Sequence, residues 1–161
     1  MRVMGVDLGI AKVACSIWEN EELVETQAVD MSGITERTRQ LSQLSRYIRR
    51  EVDYHDVELV VIEDILIGNN RKYSIKLAQT MGAVLAGLEH LDVIPVNVGK
   101  WKKEVIGDGH ASKEAVRNYL LERDSAYADL CGSDQDRFDA ACIGYYGVIL
   151  SDRAERLAES R

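Results

Sequence analysis

Asp136 and Asp139 lie three residues apart in DQDRFDAACIGYYG (134–147), a stretch that predicts the start of a helix with Phe138, Ala141, Cys142, Tyr145 and Ile149 along its apolar side. Residues three apart are neighbours on a helix surface, so two carboxylates stand together at the edge of a core with no local cation to separate them. Like charges held this way repel, and partial burial deepens the cost. The first turn of a helix does favour acids through its dipole and its capping needs, so this segment alone demands no chemistry. Asp7, in GVDLG, and Glu63, in VVIED, change the balance, because each closes an apolar, strand-like run. Four carboxylates gathered in one place are unfavourable by themselves and become favourable around hard divalent cations. With no histidine or cysteine in the set, the donors suit Mg²⁺ or Mn²⁺ better than zinc. Two such ions, roughly 3.5–4 Å apart, activate a water and stabilise the leaving oxygen in phosphodiester hydrolysis.

The elements that would bring these acids together follow from periodicity. Arg2 to Val6 predicts a strand ending in the turn Asp7-Leu8-Gly9, Lys12 to Trp18 a second strand, and Leu23 to Val29 an antiparallel third. A helix carrying Leu41, Leu44, Ile48 and Val52 on one side comes next, then Glu58 to Ile62 as a strand buried on both faces. Tyr73 to Leu88 predicts a second helix, with Ala78, Met81, Gly82 and Leu85 as an exposed stripe suited to a second copy of the chain. Val93 to Val96 is a fifth short strand holding the only proline. Two short helices then break at Gly107-Asp108-Gly109, the second capped by Ser112, before the helix that begins near Asp134. This order implies an α/β domain with a mixed five-stranded central sheet, antiparallel and then parallel, and helices on both faces: the order of a ribonuclease H-like fold. Parallel neighbours bring strand ends to one edge, where Asp7 and Glu63 meet, and the last helix can pack so that Asp136 and Asp139 face the same edge.

The chain's 161 residues are expected to form one domain, 1–161, with the segment from about 152 as a fraying helix end. Hydrophobic residues at 46% and charged residues at 29% are an ordinary globular balance, and no apolar run could span a bilayer. No charged-then-apolar leader opens the chain, and Cys15, Cys131 and Cys142 match no ligand spacing, so reduced, packing-type thiols in a cytoplasmic protein are expected. The net charge of −7 opposes a nucleic-acid partner at first sight. It is unevenly spread, however: Arg71, Lys72 and Lys76 lie in a stretch from Ile65 to Leu88 without an acid, and Lys100, Lys102, Lys103, Lys113 and Arg117 make a second basic group.

On these residues the chain resembles the RuvC-type Holliday junction resolvases from Val3 to about Tyr146. The similar segments are GVDLG, VVIEDILIGNNRKYSIKLAQTMGAVLAG, WKKEVIGDGHASKEAV and DRFDAACIG, in the family's order. The resemblance implies a homodimeric endonuclease, dependent on Mg²⁺ with Mn²⁺ able to substitute, two ions per site, that nicks opposed strands of four-way DNA junctions. It implies that Asp7, Glu63, Asp136 and Asp139 are the metal-binding catalytic acids and that Lys102 and Lys113 contact the scissile-strand phosphates. Lys103, Arg71 and Lys72 join them as expected DNA contacts. Two positions depart from the family: Leu8 stands where it often has proline, and Leu66 where bacterial members carry a base-stacking aromatic. Such departures would suit a phage-type member, acting in a bacterial cell or a phage-infected host, with wider tastes in branched DNA.

Other readings stay open at this point. A flap or fork nuclease of the same fold would leave single nicks. An inactive DNA-binding module would share the fold and not the chemistry, and an actin-like ATPase fragment would need a second phosphate-binding hairpin. Asp64 and Asp134 stand beside the main acids as possible helpers.

Overall fold

A computed structural model describes residues 1–65 and 68–160. Strands β1 (Arg2–Leu8), β2 (Lys12–Glu19) and β3 (Glu22–Asp30) form an antiparallel meander, and β4 (Leu59–Glu63) and β5 (Asp92–Val96) add on in parallel, giving the order β3-β2-β1-β4-β5. The helices are α1 (Arg37–Tyr54), α2 (Arg71–Ala86), α3 (Val98–Ile106), α4 (Lys113–Arg123), α5 (Tyr127–Cys131) and α6 (Gln135–Glu159). Asp7 lies inside β1, opposite Ala14, so the strand runs two residues beyond its expected end at Val6, into the expected turn. Pro95 sits on the edge strand β5, where a missing N–H is tolerated. The Leu66 position lies outside the described residues.

Alternation along β1 sorts the core into two layers. Met4 and Val6 join Val13, Cys15, Leu44, Ile48, Val60 and Ile62 beneath α1 and α2. Val3 joins Trp18, Val61, Trp101, Val116, Leu120, Phe138 and Tyr146 beneath α3 to α6. The sheet is thus covered on both faces, as the element order predicts. All three cysteines are free and buried, and no helix among the described residues is long and apolar enough to cross a membrane.

Two expectations are corrected. The helix at the carboxyl end was expected to have one apolar side; instead Ala140 to Gly144 are buried without a break, because α6 lies between the sheet and α3–α5. The stripe on α2 is also narrower than expected. Met81 is buried and Leu85 packs against the core, which leaves Ala78 and Gly82 exposed with Ile75. The five-residue helix α5 had no periodicity long enough to reveal it.

The contact between α6 and β1 sets the position of everything carried by the helix. A Cβ on Gly5 would lie 2.2 Å from Ala140 O and 2.2 Å from Gly144 N, so only hydrogen lets the two backbones approach this closely. Across the same contact, Ser16 Oγ donates to Ala140 O at 2.7 Å and Trp18 Nε1 donates to Ala141 O at 2.9 Å. These bonds satisfy two buried donors and lock the rotation and height of α6 over the sheet.

Candidate active site

Asp7, Glu63, Asp136 and Asp139 all line one cavity of about 450 Å³ at the carboxyl ends of β1 and β4, with Gly9, Lys12, Asp64, Tyr73 and Lys113 around them. Each acid has its own support. The register Val6↔Ile62 in the parallel β1–β4 pair places Asp7 and Glu63 side by side at the two strand ends. Asp134 caps α6 by accepting from Asp136 N at 3.1 Å, which starts the helix where its first turn points Asp136 into the cavity. Asp139 follows one turn on and accepts from Gln135 Nε2 at 3.0 Å.

Asp7, Asp136 and Asp139 each offer an oxygen within 4.8 Å of the others. Glu63 stands at the side of this trio, its Oε2 accepting from Trp101 Nε1 at 2.8 Å. Burial pushes Asp7 up to about 8, and the charges of Glu63, Asp139 and Asp136 push the same way against the opposing Lys113. Glu63 is raised by burial and by Asp139, with the Trp101 bond and Lys102 opposing. Asp139 is raised by burial, with Gln135, Lys102 and Lys113 opposing. Mutually repelling, half-sunken carboxylates of this kind are a donor set for a hard divalent cation: three close oxygen donors, a fourth beside them, and no soft ligand.

The expected basic residues divide. Lys113, the first residue of α4, is exposed at the cavity wall. Lys102 stands behind Glu63 with Nζ donating to Ala111 O at 2.7 Å, and it acts on Glu63 and Asp139 through its charge. Lys103 is exposed in the last turn of α3, and Arg71 and Lys72 are exposed at the start of α2; these three do not line the acidic cavity. Lys72 instead lines a neighbouring groove with Ile10, Lys76 and Gln79, and that groove shares Tyr73 with the cavity.

Two residues were not anticipated. The acids were expected to lack a local cation, yet Lys12 Nζ lies 2.7 Å from Asp136 Oδ2 and 2.9 Å from Asp134 Oδ2. The bond to Asp136 raises the Lys12 pKa, with burial opposing. Asp134 feels burial first, but its bonds with Lys12 and the Asp136 N–H hold it below the usual carboxylate value. It therefore acts as a cap and a lysine partner. The sequence does carry a signal for Lys12, the one cation in the hairpin GVDLGIAK five positions after Asp7. The other unanticipated residue is Trp101, whose buried indole holds Glu63 in place. Asp64 lines the cavity as well, its Oδ1 accepting from Ile65 N.

A family model described as crossover junction endodeoxyribonuclease RuvC matches residues 3–123. A protein of that name from Helicobacter pylori (strain Shi470) is 33% identical over 131 residues, covering 76% of this chain and 81% of its own. One from Rickettsia prowazekii is 23% identical over 155 residues, covering 92% of this chain and 98% of its own, and so reaches α6 as well. Among solved structures, Thermus thermophilus RuvC in complex with a Holliday junction substrate superposes with a TM-score of 0.77 over 95% of this chain and 96% of its own, at 17% identity, which shows the shared fold. The match of the family model over most of the chain, on a ribonuclease H-like sheet with acids at its carboxyl edge, means that this chain belongs to the crossover junction endodeoxyribonuclease RuvC family.

Proposed function

We propose that this chain is a Mg²⁺-dependent, structure-selective endodeoxyribonuclease that nicks four-way DNA junctions, with Mn²⁺ able to replace Mg²⁺. The observation that carries this reading is the cavity in which Asp7, Glu63, Asp136 and Asp139 gather with a lysine at the wall. Asp7, Asp136 and Asp139 would hold the ion, with Glu63 able to close the shell, and the four carboxylates together offer ligands for two. Bound Mg²⁺ supplies charge neutralisation at the phosphate and favours ionisation of the attacking water. Lys113 adds a positive charge at the mouth, where a scissile phosphate would enter, and Lys102 tempers the acids from behind. Trp101 fixes the Glu63 carboxylate so that little reorganisation is needed when DNA arrives. Lys103, Arg71 and Lys72 extend the basic surface along the DNA path. The work is done in the cytoplasm of a bacterial cell or a phage-infected host.

The test is cleavage of end-labelled four-way, three-way, flap and duplex DNA in Mg²⁺, in Ca²⁺ and in chelator. Paired, symmetrically placed nicks in the four-way junction are expected in Mg²⁺ only. Ca²⁺ takes more ligands at longer distances, so it should support binding without cutting. Single nicks favoured in flaps would turn the assignment to a fork or flap nuclease, and efficient cutting in chelator would remove the metal from it.

Paired nicks require two sites, and we assign the dimer contact to the exposed face of α2. Ile75, Ala78 and Gly82 share that face, and a Cβ on Gly82 would meet nothing within 4 Å in the single chain. Small residues let a second helix approach around a two-fold axis. Gly82→Leu should therefore give a folded monomer in sedimentation that has lost paired nicking. A wild type that sediments as a monomer at micromolar concentration would discard this contact.

A further inference from the structure

Among the described residues, Lys12 is the only cation in an ion pair with an acid of the cavity. Its ammonium has three donors and three near oxygens: Asp136 Oδ2 at 2.7 Å and the two Asp134 oxygens at 3.0 and 2.9 Å. Lys12 is not carried on a loose tail. It opens β2, pairs with Asp30 of β3, and its carbonyl accepts from Gly9 N at 2.7 Å, so one tight turn ties it to the strand end bearing Asp7. Asp136 is shared, because its carboxylate also belongs to the trio with Asp7 and Asp139. The ammonium therefore stands one carboxylate away from the position these three acids offer to a cation. A second divalent ion bound through Asp136 Oδ2 would have to displace the bond that Lys12 makes to it and lie close to a like charge, a repulsion that partial exposure weakens without removing.

We infer that Lys12 is a built-in cation occupying the Asp136 side of the site, so that the DNA-free chain takes up one divalent ion where its carboxylates alone would take two. The inference rests on the metal reading above. It assigns Lys12 a positioning role: it makes the second ion conditional, entering only when something else, such as a phosphate of the DNA, draws the ammonium away. A lysine that merely propped up the start of α6 would behave in the opposite sense, since removing it would loosen the acids and reduce metal uptake.

Mn²⁺ titrated into the purified full chain, with free ion followed by its electron paramagnetic resonance signal into the millimolar range, separates the two roles. The wild type and the charge-keeping Lys12→Arg should bind one Mn²⁺ per chain. Lys12→Met and Lys12→Gln, two neutral replacements of different polarity, should bind two. The wild-type count stands without any variant: two ions in the DNA-free wild type overturn the inference. One ion or fewer in both folded neutral variants, checked by circular dichroism, overturns it as well while leaving the metal reading intact. An absence of Mn²⁺ binding in every chain would remove the metal reading and the inference with it.

Discussion

Asp7→Asn should lower junction cleavage about a thousand-fold or more and, in the same protein, raise the stability of the metal-free fold at pH 8. Both effects have one origin. Asp7 is set at the strand end with part of its surface open to the cavity, and burial with three nearby acids lifts its pKa from 3.8 to about 8. The folded chain therefore holds a proton that the unfolded chain has already released. Stability contributed by that proton is fully present below pH 3.8 and is lost as pH rises through about 8. Asparagine keeps the shape and cannot ionise, so the loss disappears. Allowing for the open mouth of the cavity, the variant should gain about 2 kcal/mol or more at pH 8, about 5 °C in Tm, and almost nothing at pH 4. Melts in chelator at the two pH values, beside cleavage in Mg²⁺, check both halves. Mg²⁺ should narrow the gap by stabilising the wild type alone. A variant that keeps a tenth of wild-type cleavage, or that melts below wild type at pH 8 in chelator, would show that Asp7 is not the buried acid the site is built around.

How much of this could be read from the chain depended on whether the deciding contact is local. Strands β1 to β5 and the helices between them follow from local apolar runs, caps and breakers, and Ser112 does cap α4 through Ala115 N at 3.1 Å. Asp7 and Glu63 could be placed together because strand ends share an edge once the sheet order is known. Lys12 could be singled out as the one cation of its hairpin but not paired with its partners, since Asp134 lies 122 residues away and Asp136 beyond it. Trp101 likewise reads as part of a basic segment, WKK, until its indole is found on Glu63, 38 residues distant. The α2 stripe was legible only in part, for a physical reason: small residues at helical spacing fit both a sheet and a partner, and Met81 and Leu85 go inward while Ala78 and Gly82 stay out. Helix α6 was legible in part as well. Its apolar side through Phe138, Ala141 and Cys142 is clear in sequence, yet Ala140, Ile143 and Gly144 are buried beside it, because the helix is enclosed by a sheet and three other helices.

Gly5→Ala should be among the most damaging single-methyl changes in the chain, costing about 4 kcal/mol or more, and Gly5→Val should leave no folded protein at 37 °C. In sequence, a glycine in a strand reads as a weakness or a turn signal; in the fold it is the point where β1 and α6 touch. A Cβ there would meet the Ala140 carbonyl oxygen and the Gly144 nitrogen at 2.2 Å, both backbone atoms of a helix, so no side chain can turn aside to make room. Gly144 cannot yield either, because a Cβ at that position would stand 2.6 Å from both Ser16 Oγ and Trp18 Cδ1. Relief requires α6 to lift off the sheet, which stretches the Ser16 and Trp18 bonds to Ala140 O and Ala141 O and leaves buried polar groups unpaired. The same movement carries Asp136 and Asp139 away from Asp7, and a displacement of about 1 Å at a reacting site costs roughly a hundred-fold in rate. Two measurements follow from one variant: urea unfolding of Gly5→Ala should show the stability loss, and the folded fraction should cut junctions far more slowly than wild type. A Gly5→Ala protein with a wild-type unfolding midpoint would mean that β1 and α6 are not in backbone contact, and the packing that carries the acids to one edge would have to be redrawn.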